Sequence, residues 1–353
     1  MYDNTFFKMN MKFKFPQLAM LLLFLSVAGT GSATVLIEGD SFNNDPYYYV
    51  IGNYGHGNFQ IDGGSTWDWD GNAYMSYWQS GVVMSRQTGS SATGLITGPG
   101  SAVNVNGDGG TTFFQVGRGG TATLDIQAGG SLNIVDHNPL PNTQSGRNTV
   151  LVVGGSGSNI LPTDGTGTLN ANNGHIRVEG NRPVVNIGDG GGNGTLIINN
   201  GSTVQVIDHE PTAGADALTF VGTRAGSTGQ LYINNSSYEI TSDVGLGRMY
   251  VGKNAGSLGY VQISNGGQLN ISGATDGDLL IGFGDDHDSN PNTLPEGGTG
   301  IVQITGPGSS VTTLDKVVVG SPVQLTGGGT SSGTLTVSNG ASINAGGGIY
   351  GDL

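Results

Sequence analysis

Apolar and polar residues alternate along this chain in short bursts that return at a nearly fixed interval. Strings such as Thr123-Leu124-Asp125-Ile126, Thr195-Leu196-Ile197-Ile198, Gln230-Leu231-Tyr232-Ile233, Tyr260-Val261-Gln262-Ile263 and Thr334-Leu335-Thr336-Val337 are followed, after a glycine turn, by shorter ones. Leu132-Asn133-Ile134, Val204-Gln205-Val206 and Leu269-Asn270-Ile271 are examples of this second type. A further type precedes both and has the form apolar-x-Val-Gly. Read as alternation, all three predict strands with one face buried, since successive strand side chains point to opposite sides.

The apolar-x-Val-Gly string sets the interval. Its glycine falls at Gly52, Gly117, Gly154, Gly188, Gly222, Gly252, Gly282 and Gly320, and a degenerate copy ends at Ser85. Nine units result, in steps of 33, 32, 37, 34, 34, 30, 30 and 38 residues. Within a unit the register acts as a ruler: six positions after Ile61, Ile126, Ile198, Ile263 and Val337 stand Trp67, Leu132, Val204, Leu269 and Ile343. Where Gly-Pro-Gly-Ser intervenes, at 98–101 and 306–309, the spacing grows by one, from Ile96 to Val103 and from Ile304 to Val311.

Three short strands and three turns in about 33 residues make one rung of a three-sided solenoid. The predicted fold is all-β: a right-handed parallel β-helix (β-solenoid) of about nine rungs, stacked at ~4.8 Å into a rod ~43 Å long. The longer stretches 135–149, 155–166, 207–217, 283–299 and 321–332 read as loops leaving its corners. A propeller would need a fourth strand per unit, which most units lack. In order, residues 34–48 read as an N-terminal cap, 49–345 as the repeats and 346–353 as the start of a further rung or tail.

Composition supports this picture. Glycine accounts for 66 of 353 residues against a usual ~7 per cent, which spoils helix interiors and suits sharp corners. Only 11 per cent of residues are charged, too few for coiled coils or a basic nucleic-acid surface. The glycines lack the every-third spacing of collagen, and cysteine is absent, which excludes disulfides, thiolate catalysis and zinc–sulfur sites.

Residues 1–33 differ from the rest. Lys12 and Lys14 precede an apolar run from Leu18 to Ala28, and small residues follow at Ser26, Ala28, Gly31 and Ala33. This predicts a secretory signal peptide cleaved near residue 28 or 33, with Met9 or Met11 as alternative starts, and no transmembrane segment in the mature chain. The whole chain carries a formal charge of −14. Without residues 1–33 it loses Asp3, Lys8, Lys12 and Lys14, leaving 25 acidic and 9 basic residues and a charge of −16. Such a chain is a poor partner for nucleic acid and suits an exported location, whether extracellular, cell-surface or periplasmic.

The units ending at 304–311, 318–320 and 333–343 (Ile304-Thr305-Gly306-Pro307-Gly308-Ser309-Ser310-Val311, Val318-Val319-Gly320, and Gly333-Thr334-Leu335-Thr336-Val337-Ser338-Asn339-Gly340-Ala341-Ser342-Ile343) carry a resemblance. They resemble the repeat shared by type V secretion (autotransporter) passengers and PEP-CTERM exported proteins. The resemblance covers about 49 to 345 and implies a bacterial, surface-associated, adhesin-like solenoid rather than an enzyme. The Pro-Glu-Pro tail or membrane barrel that would close such proteins does not follow, so the chain reads as truncated.

Several residues invite chemistry. Aromatics crowd the stretch from Tyr47 to Trp78; Trp67 and Trp69 hold the inward register of Leu132 and Ile134 and read as core or cap, whereas Tyr74, Tyr77 and Trp78 are off the ruler and are the candidates for stacking on a glycan. The acidic loop with Asp285, Asp286 and Asp288 is the candidate calcium site, since calcium takes several oxygen ligands, and Asp276 and Asp278 lie just upstream. Asp136-His137 and Asp208-His209 recur two rungs apart, too far to share one ion, and read as turn residues. Lys253, Lys316 and the singly scattered arginines form no convergent basic and acidic rung, so neither catalysis nor a resident cofactor is expected. Partners are expected in extracellular matrix or glycan surfaces, and the rod ends are expected to favour end-to-end self-association.

Overall fold

A computed structural model of the chain describes residues 34–42, 48–70, 79–107, 111–136, 149–155, 164–209, 216–283, 297–320 and 331–351. Among them there are strands and turns but no helix, and the strands form three sheets of parallel pairing, with about 33 residues from one rung to the next. In chain order each rung contributes one strand to a first, a second and a third face. The fourth, fifth and sixth rungs illustrate it: Thr149–Val153, Thr166–Asn172, His175–Gly180; Val184–Ile187, Asn193–Asn199, Thr203–Asp208; Ala217–Val221, Thr228–Asn234, Ser237–Ser242. On the second face nine strands, from His56–Asp62 to Ser332–Ser338, pair in parallel without interruption. The solenoid expected from the spacing is therefore the fold.

Alternation becomes core through register. On the second face Leu124, Leu169, Leu196, Leu231, Val261 and Val302 stand above one another, and Ile126, Ala171, Ile198, Ile233, Ile263 and Ile304 form a second inward column. All are fully buried, and each buried aliphatic side chain contributes roughly 1.5–3 kcal/mol. Trp67 and Trp69 pair with Val103 and Val105, which pair in turn with Leu132 and Ile134, so both tryptophans occupy the inward columns that the ruler assigns. Outward positions of the second and third faces carry Thr, Asn, Gln and Asp, with Leu95, Ile197, Tyr232, Tyr260 and Ile301 among them, and hydrogen bonds link rungs, such as Asn104 Nδ2 to Asp68 Oδ1 (2.7 Å) and Asn170 Nδ2 to Asp125 Oδ1 (2.8 Å).

The corners explain the repeat. Gly222 has φ +72°, and a Cβ there would stand 2.2 Å from the Leu258 carbonyl oxygen of the next rung. All nine residues marking the repeat lie in this left-handed region, including Ser85 at φ 57°. Serine fits at that one level because its neighbour above is Gly120, where a Cβ would meet Ser85 Oγ at 2.3 Å; the Ser85 hydroxyl donates to the Ser90 carbonyl at 2.9 Å. In the Gly-Pro-Gly-Ser turns, Ser101 Oγ and Ser309 Oγ accept hydrogen bonds from the Gly64 and Gly266 N–H of the rung below, at 3.0 and 3.1 Å.

The N-terminal end carries strands of opposite direction. Thr34–Gly39 pairs antiparallel with His56–Asp62, and Ser41–Phe42 with Tyr48–Ile51. Val35 and Ile37 pack onto the core beneath, where Tyr49 meets Trp67 and Trp69 edge-on at 5.4 and 5.7 Å.

One expectation fails in an informative way. The first face does not alternate cleanly: Val50, Val83, Phe113, Val150, Val184 and Leu218 occupy outward positions, and Val50, Val83 and Phe113 form a small apolar cluster separate from the main core. Runs such as Val82-Val83-Met84 and Val150-Leu151-Val152-Val153 are the signature of a strand lined by apolar side chains on both sides. The stretches 71–78, 108–110, 137–148, 156–163, 210–215, 284–296 and 321–330 all lie outside the described residues, and each connects two strands across a corner of the first face. The corner between second and third faces is described, and short, at every level.

Candidate functional site

The outward side of the first face opens into a groove of about 370 Å³ at the level of Thr149–Val153, Val184–Ile187 and Ala217–Val221. Its apolar lining is Val150, Val184, Leu218 and Phe220, set by strict register: Val150 pairs with Val184 and Val184 with Leu218. Phe220 pairs in turn with Tyr250 of the next rung, and their rings stack at 5.2 Å and 17°. The polar lining comes from the two adjoining corners. Arg182 arrives from the third-to-first corner, and Asp189, Thr223, Arg224, Lys253 and Asn254 from the first-to-second corner of three successive rungs.

Corner geometry places these side chains. Asp189, Thr223 and Lys253 each follow the left-handed glycine of their own rung, Gly188, Gly222 or Gly252. The turn carrying Arg224 is closed by Ser227, whose Oγ accepts from the Arg224 N–H at 3.0 Å and donates to its carbonyl at 2.6 Å. Ser257 Oγ likewise donates to the Asn254 carbonyl at 2.7 Å. Rungs stacked at ~4.8 Å therefore bring Asp189, Arg224 and Lys253 together, although 35 and 29 residues separate them in sequence.

Electrostatics within the groove are uneven. Asp189 is 1 per cent exposed, and its Oδ1 lies 3.3 Å from Arg224 Nε. Burial pushes the Asp189 carboxyl above the usual carboxylate range, against the pull of Arg224 and the Gly190 N–H. Lys253 Nζ sits 5.0 Å from the Phe220 ring centre and 4.8 Å from that of Tyr250, within cation–π range. Asp189 Oδ1, Thr223 Oγ1 and Arg224 Nη1 are buried atoms without a hydrogen-bond partner, three such atoms on one groove.

The residues singled out from sequence fare differently. Tyr74, Tyr77, Trp78, Asp285, Asp286, Asp288 and His137 lie outside the described residues. Asp276 and Asp278 face Arg248 of the preceding rung, at 3.1 and 3.3 Å, and Asp278 also accepts the Lys316 N–H. Asp208 is buried and accepts from Ser242 Oγ at 2.9 Å, while His209 Nδ1 lies 2.7 Å from Asp243 Oδ2. Among the described residues, no group of three or more His, Asp or Glu is placed to hold a metal ion.

Asp189 and Arg224 pair across adjacent rungs and Lys253 of the next rung lines the same groove, a juxtaposition invisible to a reading that measures clustering along the chain. The available signal was positional: each stands one or two places after a repeat glycine. No protein-family model, no curated protein and no solved structure matches the chain.

Proposed function

We propose that this protein is an exported bacterial structural solenoid, an adhesin-like rod that works at the cell surface, in the periplasm or in extracellular matrix and turns over no substrate. One observation carries the reading. Among the described residues the second face is an unbroken parallel stack, the turns between second and third faces are short at every level, and the first face carries apolar side chains on its outward side. Repeat rods are built to present such a surface. Residues 1–33, the acidic balance and the autotransporter and PEP-CTERM-like repeat are consistent with it. The test is expression in a Gram-negative host with mass spectrometry of each compartment. Processing near residue 28 or 33 and recovery outside the cytoplasm are expected; an unprocessed cytoplasmic chain would refute the proposal.

The groove supports a second reading, a carbohydrate-active site. It is the weaker one, because Asp189, the carboxylate among the described lining residues, is buried against Arg224 and not presented to the groove. Shortening of an acidic polysaccharide during incubation, followed by size-exclusion chromatography, would favour it.

A further inference from the structure

We infer that the first-face groove binds an acidic oligosaccharide, holding carboxylates on Arg182, Arg224 and Lys253 and sugar-ring C–H faces on Val184, Leu218 and Phe220. The site stands on the groove's own geometry and does not depend on export.

Charge is the first argument. The chain carries −14 overall, yet among the described residues this groove gathers three cations against one carboxylate, Asp189, which is buried and turned to Arg224. A concavity of opposite sign to the rest of a molecule draws anions into that one place. Chemistry narrows the anion. A planar guanidinium suits a planar carboxylate, which can accept two parallel N–H bonds, and the buried Arg224 Nη1 has no hydrogen-bond partner. The floor is apolar and aromatic, as in sites that seat a ring through its C–H face. Asn186, Thr223 and Asn254 add donors and acceptors suited to hydroxyls.

Two other polymers fit less well. A nucleic acid needs basic groups along several phosphates, whereas the remaining length of this rod is acidic. A peptide that binds by adding a strand needs a free sheet edge, and the strands flooring this groove are paired on both sides.

The test is calorimetric titration of the chain from residue 34 with trigalacturonic acid, with its methyl ester as the uncharged counterpart and hexaglutamate as an acidic peptide. Binding of the free acid is expected, with at least a tenfold loss for the ester, a loss with added salt, and no comparable affinity for hexaglutamate. K253Q and R182Q should each weaken binding about tenfold, and Phe220→Ala should do so while leaving the salt dependence intact. Lys316→Gln, on a distant rung of the same face, should change it less than twofold. Arg224→Gln removes the partner of a buried carboxylate and risks the fold, so K253Q and R182Q, checked by unchanged circular dichroism and thermal midpoint, carry the test. Equal affinity for acid and ester, tighter binding of hexaglutamate, no binding of the acid, or unaltered binding by both folded variants would each overturn the proposal.

Discussion

At the residue scale, the glycines of this chain are not interchangeable. Gly201 (φ +81°) has open space where a Cβ would go, whereas Gly222 (φ +72°) has the Leu258 carbonyl 2.2 Å away. Gly201→Ala should cost about 1–2 kcal/mol, the ordinary left-handed penalty, and Gly222→Ala roughly twice that or more, because the next rung must also shift. Equal losses in urea titration would mean that the rung contact does not constrain the corner. Among the described residues Tyr238 is the largest wholly buried side chain, and its hydroxyl lies 2.9 Å from Thr219 Oγ1. Tyr238→Phe should cost about 1–2 kcal/mol by stranding that hydroxyl, and adding Thr219→Val should recover most of it. Burial holds the Tyr238 phenol above its usual range. Its contribution is therefore complete below the unfolded value of about pH 10 and lost as pH rises beyond it, since the unfolded chain releases the proton first. Alkaline unfolding should be shallower in Tyr238→Phe, though not flat, because Tyr49 and Tyr260 are raised by burial as well.

At the element scale, the rung is the unit that can be removed. Thr228 pairs with Leu258 in register, so deleting residues 228–257 joins Ser227 to Leu258 and restores the corner one level down. Such a chain should keep its β-sheet circular dichroism and be shorter by ~4.8 Å, while losing Tyr250 and Lys253 and with them the affinity of the groove. Deleting 228–242 removes half a turn and should leave an aggregated product; a well-folded one would show that the faces are not fixed by register. That the rung was legible at all follows from its redundancy. Leu124, Leu169, Leu196 and Leu231 restate one inward position, and Gly117, Gly154, Gly188 and Gly222 one corner. A single worn copy such as Ser85 therefore hides nothing. The groove lacks this redundancy. Asp189, Arg224 and Lys253 are three different residues at neighbouring corner positions, and only the stacking of rungs makes them neighbours. The outward apolar column of Val150, Val184 and Leu218 was written in the sequence as adjacent apolar residues, Val150-Leu151, Val184-Val185 and Ala217-Leu218, but an expectation of strict alternation conceals it.

At the scale of the whole molecule, the two ends differ. The N-terminal end carries antiparallel strands over the first and second faces. At the other end of the described residues, Val337, Ile349 and Tyr350 are 40, 50 and 48 per cent exposed on strands that pair on one side among those residues, a template for another strand. Self-association through this end is expected to rise with concentration in light scattering and to fall when Val337 and Ile349 are replaced by Lys; association unaffected by that change would place the contact elsewhere. Between the ends, each described strand pairs only with strands of the rungs above and below it. A chain stacked in this way has no distant contacts to lock it against tension along its axis. Pulled between its termini in a force spectrometer, it should give way one coil at a time, each release paying out roughly 110 Å of slack, so that the rod extends by a train of similar yields in place of a single rupture.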